Sequence, residues 1–186
     1  MRRVRRLAGI GLGCVLLLWS GAAVPMSPVG EYELKAVLLF KIAKFVRWPE
    51  SAFASRSEPL QVCVIGVDPF GTLLDAIEGQ SVQSHPVSVR RYAEAGAGTA
   101  GCHVAFLAGS SAEALGPGLR ALAGHPVLTV GDVADFARVG GVVGMRTSAG
   151  KLRFEVNTAA AAAHSLEISA QLLQLATLVT GREERP

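Results

Sequence analysis

The chain has 186 residues, half of them apolar, which is enough for one domain of ordinary size with a real core. Its 18 basic and 15 acidic side chains give a formal net charge of +3, but Arg2, Arg3, Arg5 and Arg6 supply four of the positive charges and no acidic residue precedes Glu31. Beyond that opening segment 14 basic side chains face 15 acidic ones, so composition offers no basic face for a nucleic acid and excludes that class of partner.

Residues 1–23 read as an export signal. The arginines form a basic head, Leu7 to Trp19 is an apolar run too short to span a bilayer, and Ser20, Gly21, Ala22 and Ala23 are the small residues a signal peptidase needs. Cleavage is expected after Ala23. The rest reads as one domain over residues 31–180 with a disordered tail at 181–186, undivided by linker or repeat.

Residues 31–49 predict a helix ending near Trp48, because Pro49 disfavours helical backbone in the residue before it. Leu34, Leu38, Ile42, Phe45 and Val46 mark its apolar face, and Lys41, Lys44 and Arg47 a basic ridge. Lys35 falls inside the apolar arc, while Phe40 and Trp48 fall among the basic residues. The ordinary reading of Lys35 is a first-turn side chain that reaches back to water; the sharper one is a buried pair with a sheet carboxylate, Glu155 being the candidate. Phe40 and Trp48 are either covered by the following loop or form an exposed patch that meets a partner.

The run 60–67 is almost continuously apolar, as in a central parallel strand covered on both faces. Asp68 and Pro69 then predict a helix to about Glu78. Further strands are expected at 87–92, 103–108 and 127–130, with a helix over 111–123 kinked or split at Gly116-Pro117-Gly118. Asp132 is read as the cap of a short helix to Val139. Segments 142–146 and 152–156 read as a hairpin around the turn 147–150, with one strand antiparallel at a sheet edge. A helix from 158 to 180 closes the chain, with Ile168, Leu172, Leu175 and Val179 buried and a break near His164-Ser165. The alternation predicts an α/β fold: a single domain with a mainly parallel central sheet, helices on both faces and a late antiparallel hairpin strand.

The motifs for chemistry are sparse. Cys63 and Cys102 survive the signal; in an exported chain they point to a disulfide, with two buried free thiols as the alternative. His85, His103, His125 and His164 are scattered without metal-ligand spacing. No G-x-S-x-G elbow is present, and the glycines of residues 66–71 do not make a dinucleotide fingerprint. Catalytic residues, metals and cofactors are therefore not expected. In residues 151–157, Leu152, Phe154 and Val156 alternate with Arg153, Glu155 and Asn157.

Together, Lys35-Ala36, Phe40, Ala43-Lys44-Phe45-Val46, Trp48-Pro49, Cys63-Val64-Ile65-Gly66, Asp68-Pro69-Phe70-Gly71, Cys102-His103, Leu128-Thr129-Val130, Asp132, Phe136, Gly140-Gly141, Arg153-Phe154-Glu155-Val156-Asn157, Ile168-Ser169 and Leu172-Leu173 resemble the YfiR family of bacterial periplasmic proteins. The resemblance implies a non-catalytic periplasmic regulator, a homodimer, that binds the periplasmic sensor domain of an inner-membrane diguanylate cyclase, represses it and lowers cyclic di-GMP, with effects on biofilm. It also implies an outer-membrane lipoprotein that sequesters the regulator. Cys63 and Cys102 match a family disulfide position; a second family bridge has no cysteines here. Phe40, Lys44, Arg47 and Trp48 are the expected partner contacts. A small-ligand module using the groove at the carboxyl ends of the strands is the alternative reading.

Overall fold

The computed structural model describes residues 27–148 and 151–181. The expected signal at 1–23, the tail beyond Gly181 and part of the turn 147–150 lie outside the described residues.

Helix α1 (Pro28–Ala43) begins where Ser27 accepts a hydrogen bond from the Gly30 amide at 3.2 Å, with proline in the first turn, where its missing amide costs nothing. It stops well short of Trp48. The chain turns at Lys44 and enters strand β1 (Val46–Arg47), which pairs antiparallel with a strand near the C-terminus, Val46 opposite Ile168. Extended backbone puts residues i and i+2 on one face, so Val46 and Trp48 both enter the core while Arg47 points out. In a helix they would lie about 200° apart. The buried stripe of α1 is Lys35, Ala36, Leu39, Ile42 and Ala43, whereas Leu34 is exposed. The apolar face is thus rotated by one residue from the expected one, because small Ala36 and Ala43 bring the helix close to the sheet where bulkier residues had marked the stripe.

The sheet contains β2 (Leu60–Ile65), β3 (Ser81–Val82), β4 (His85–Tyr92), β5 (Val104–Leu107), β6 (Leu128–Gly131), β7 (Val143–Ser148), β8 (Lys151–Asn157) and β10 (Thr177–Val179). β9 (Glu167–Ile168) is the partner of β1. Eight strands run in the order β10-β8-β7-β6-β5-β2-β4-β3. Five neighbouring pairs are parallel, while β7–β8 and β3–β4 are antiparallel. The mainly parallel sheet and its late hairpin match the expectation. β8 is not wholly an edge, however: β10 pairs with it in parallel, Thr177 opposite Glu155.

Both faces of the central strands are buried. Leu60, Val62 and Val64 of β2, with Val104 and Phe106 of β5, share the layer that holds α1. Cys63, Ile65, Ala105 and Leu107 point to the other layer, which holds Leu115 and Leu122 of α2 (Ala112–Leu122). α2 is capped by Ser111 and runs through Pro117 as one element rather than splitting. Gly118 lets it sit against Leu107, since a Cβ there would come within 2.8 Å of that side chain.

Three expected helices differ. Residues 71–77 form a 3-10 helix. Residues 132–139 are turns, with Asp135 at φ 60°, a left-handed conformation that interrupts a helix. The long C-terminal helix breaks at His164-Ser165 as expected, Ser165 lying at φ 56°. The chain does not resume that helix beyond the break: α3 (Thr158–Ala163) gives way to β9, then α4 (Ala170–Leu175), newly capped by Ser169, and then β10. Leu172 and Val179 are buried and Ile168 partly so, but Leu175 is 75% exposed.

Candidate functional site

Lys35 does point inward, as its place in the apolar arc required, and it is buried. Its partner is not Glu155. The ammonium Nζ donates to Asp132 Oδ2 at 2.7 Å and pairs with Glu31 Oε1, one turn back, at 2.7 Å. Tyr32 also donates its hydroxyl to Asp132 Oδ2, at 2.8 Å, and Thr147 donates to Glu31 Oε1 at 2.8 Å. Five side chains from α1, the end of β6 and β7 thereby join one hydrogen-bonded cluster around the Lys35 ammonium. Asp132 stands just past the carboxyl end of β6, and with no helix to cap it is free to receive α1.

Burial lowers the Lys35 pKa, but its hydrogen bonds to Asp132 and Glu31 outweigh that penalty and hold it above the ordinary lysine value. The hydrogen bond from Lys35 lowers the pKa of Glu31, against a smaller effect of burial. Burial, then the hydrogen bond to Asp132, raises that of Tyr32 and keeps the phenol neutral. This cluster anchors α1 to the sheet.

Glu155 lies 3.9 Å from Arg146 across the hairpin, and its Oε2 is buried without a hydrogen-bond partner among the described residues.

Three of the four expected contact residues gather on one surface at the end of α1. Lys44 Nζ sits 4.4 Å from the centre of the half-buried Phe40 ring, a cation–π contact. Lys44 and Arg47 line one groove with Phe45, Glu167 and Gln171. Arg47 reaches Glu167 on β9 at 3.2 Å, with both side chains more than 70% exposed. Leu34, Val37 and Phe45 add exposed apolar surface. Trp48 is different. It is only 6% exposed and donates its indole N–H to the His103 carbonyl at 3.1 Å, so it faces the core rather than the surface.

Cys63 and Cys102 form a disulfide with Cα atoms 5.9 Å apart, buried in the α2 layer. Beside it His103 is fixed by two backbone groups. Its Nδ1 accepts from the Gln61 amide at 3.0 Å, so Nε2 carries the proton and donates to the Ala52 carbonyl at 2.9 Å. Phe53 lies stacked between His103 and His85, at 4.2 and 3.8 Å between ring centres. Burial pushes the His103 pKa below the ordinary value. Sequence reading missed Asp132 as a partner, Tyr32 and this ring stack. Only the first had a signal: a lysine in an apolar arc demands a carboxylate, and Asp132 ends a buried strand.

A groove of about 550 Å³ lies past the carboxyl ends of β5, β6 and β10, lined by Ser110, Ser111, Glu113, Asp135, Arg138 and Thr180. Among the described residues no group of three or more His, Cys, Asp or Glu side chains is placed to hold a metal ion, and no helix is long and apolar enough to cross a membrane.

The chain is thus a disulfide-tied α/β domain whose helix α1 is anchored by buried charges and ends in a small exposed surface of apolar and basic groups. Residues 32–177 match the family model described as YfiR/HmsC-like, and the chain belongs to that family. The family is in general one of periplasmic regulators of cyclic di-GMP signalling, regulatory rather than catalytic. No curated protein matches the chain.

Proposed function

We propose that this protein works in the periplasm by binding the sensor domain of an inner-membrane diguanylate cyclase. It holds that sensor in one of its states and so keeps cyclic di-GMP low. The family match over residues 32–177 carries this reading. The exposed groups at the end of α1 and in β1 support it: Phe40 under Lys44, with Arg47 alongside, make a small apolar patch with a charged rim, the usual composition of a contact surface. Trp48 serves that surface from below, by holding the chain after Arg47 against His103. A homodimer, and an outer-membrane lipoprotein that sequesters the regulator, belong to the same proposal.

The test is cellular cyclic di-GMP in a strain lacking the gene, with and without an exported copy. A rise on deletion that wild type reverses, and that a Phe40→Ala, Lys44→Glu, Arg47→Glu copy does not, is expected. No change on deletion removes the cyclase from the reading.

The groove at the carboxyl ends of the strands, with Ser110, Ser111 and Arg138 on its walls, favours a second reading: a small-ligand module serving another envelope sensor. Thermal shifts against a metabolite collection test it, and no shift with any compound counts against it.

A further inference from the structure

The β7–β8 hairpin carries features that the cyclase reading does not use. β10 pairs with β8 only at Glu155, Val156 and Asn157. From Lys151 to Phe154 the inner edge of β8 is zipped to β7, Met145 opposite Phe154 and Ser148 opposite Lys151, while the outer edge has no strand beside it among the described residues. The side chains there alternate. Leu152 and Phe154 are half-buried on the α1 side, and Lys151 and Arg153 are exposed on the other.

Lysine on a free edge by itself only discourages pairing with other chains. The second observation is of another kind. Arg146 of β7 stands directly opposite Arg153 of β8, in the interior of the pair, and both are exposed. Like charges directly opposite in a sheet are destabilising. The compensation is small: Glu155 approaches Arg146 only to 3.9 Å, and among the described residues neither Lys151 nor Arg153 has an ion-pair partner. Three cations on one face of the hairpin, next to open backbone and a row of apolar side chains, complement one kind of chain.

We infer that this hairpin docks an extended acidic segment of a partner protein as an added strand beside Lys151–Phe154. The segment's backbone takes up the free edge. Its carboxylates, at alternate positions, face Arg153, Lys151 and Arg146, and the apolar side chains between them lie on Leu152 and Phe154. The inference is independent of the α1 surface and stands or falls separately from it.

The experiment uses the whole protein and fluorescein-labelled eight-residue peptides, with binding read by fluorescence anisotropy at low salt. A peptide alternating Glu and Val is expected to bind saturably, and its Lys and Val counterpart is not. Two further Glu/Val peptides carry N-methyl groups on one or the other alternating set of amides. An added strand bonds through one set only, so one of these peptides binds and the other does not. Arg146→Glu with Arg153→Glu weakens binding at least tenfold, and Arg153→Gln, a change confined to one exposed side chain, weakens it severalfold; melting temperature is followed for both. Equal binding of the two N-methylated peptides, undiminished binding by folded Arg153→Gln, or no saturable binding of the parent peptide overturns the inference.

Discussion

Around β2, β4 and β5 the layers are tied by groups that carry no charge at neutral pH: a disulfide between Cys63 and Cys102, and a neutral imidazole, His103, pinned between the Gln61 amide and the Ala52 carbonyl. Around β6, β7 and β8 the tie is ionic. Lys35 reaches across from α1 to Asp132, and Glu31 reaches Thr147. One half of the sheet is therefore sensitive to reductant and to mild acid, with the pair of Arg91 and Asp68 at 2.7 Å beside it. The other half is blind to reductant and depends on its carboxylates staying ionised. Two regions of similar burial have been closed by opposite chemical means, so they should fail under different conditions.

The largest effect comes from cutting the covalent tie. Cys63→Ser with Cys102→Ser is expected to cost about 4 kcal/mol in the chain-entropy model, and reductant on the wild type should reproduce most of it in urea unfolding. Lys35→Met breaks the ionic tie and is expected to cost about 3 kcal/mol, because it leaves Asp132 and Glu31 partly buried with no cation. The sign with pH comes from Glu31: its pKa is lowered on folding, so its contribution is present above the ordinary glutamate value, about 4.3, and is lost as pH falls below it. Lys35 is shifted upward, so its contribution is present at neutral pH and is lost only as pH rises above about 10.4. A stability–pH profile of Lys35→Met should be flatter in acid than that of the wild type.

His103→Leu strands the Gln61 amide and the Ala52 carbonyl and should cost about 2 kcal/mol. The His103 pKa is depressed, so neutral His103 stabilises above the ordinary value, about 6.5, and the wild type loses that contribution as pH falls from there toward the depressed value. The substitution should erase this mild-acid phase while leaving the carboxylate phase below it intact, which would separate the two halves cleanly. Arg47→Ala is the smallest: its pair with Glu167 is exposed on both sides, and less than about 0.5 kcal/mol of stability is expected to change in thermal unfolding. A loss of partner binding by that variant would then report the surface and not the fold.

Much of the covalently tied half was legible in the chain. Continuous apolar runs at 60–65 and 104–107 are buried on both faces and need no partner to be recognised as strands. The ionic half was harder. β1, β9 and β10 have two or three residues each, too few for periodicity, and exist because a distant strand lies beside them: Val46 meets Ile168, and Thr177 meets Glu155. Asp132 offered the local signature of a helix cap, yet a lysine 97 positions earlier claimed its carboxylate. Trp48 fell on the basic side when read at helical spacing, and only the change to extended backbone turns it inward. Of the expected contact residues, Lys44 and Arg47 lie exposed, as long basic side chains at a helix end do, and Phe40 is half-buried beneath Lys44.

Pulled from its two ends, the molecule would not stretch to its full length. Cys63 and Cys102 stand 39 residues apart, and their bond short-circuits everything between them, so about 130 Å of contour never enters the line of tension. β4 and the 3-10 turn before it lie wholly inside that loop, which makes them a mechanically sheltered segment until the sulfurs are reduced.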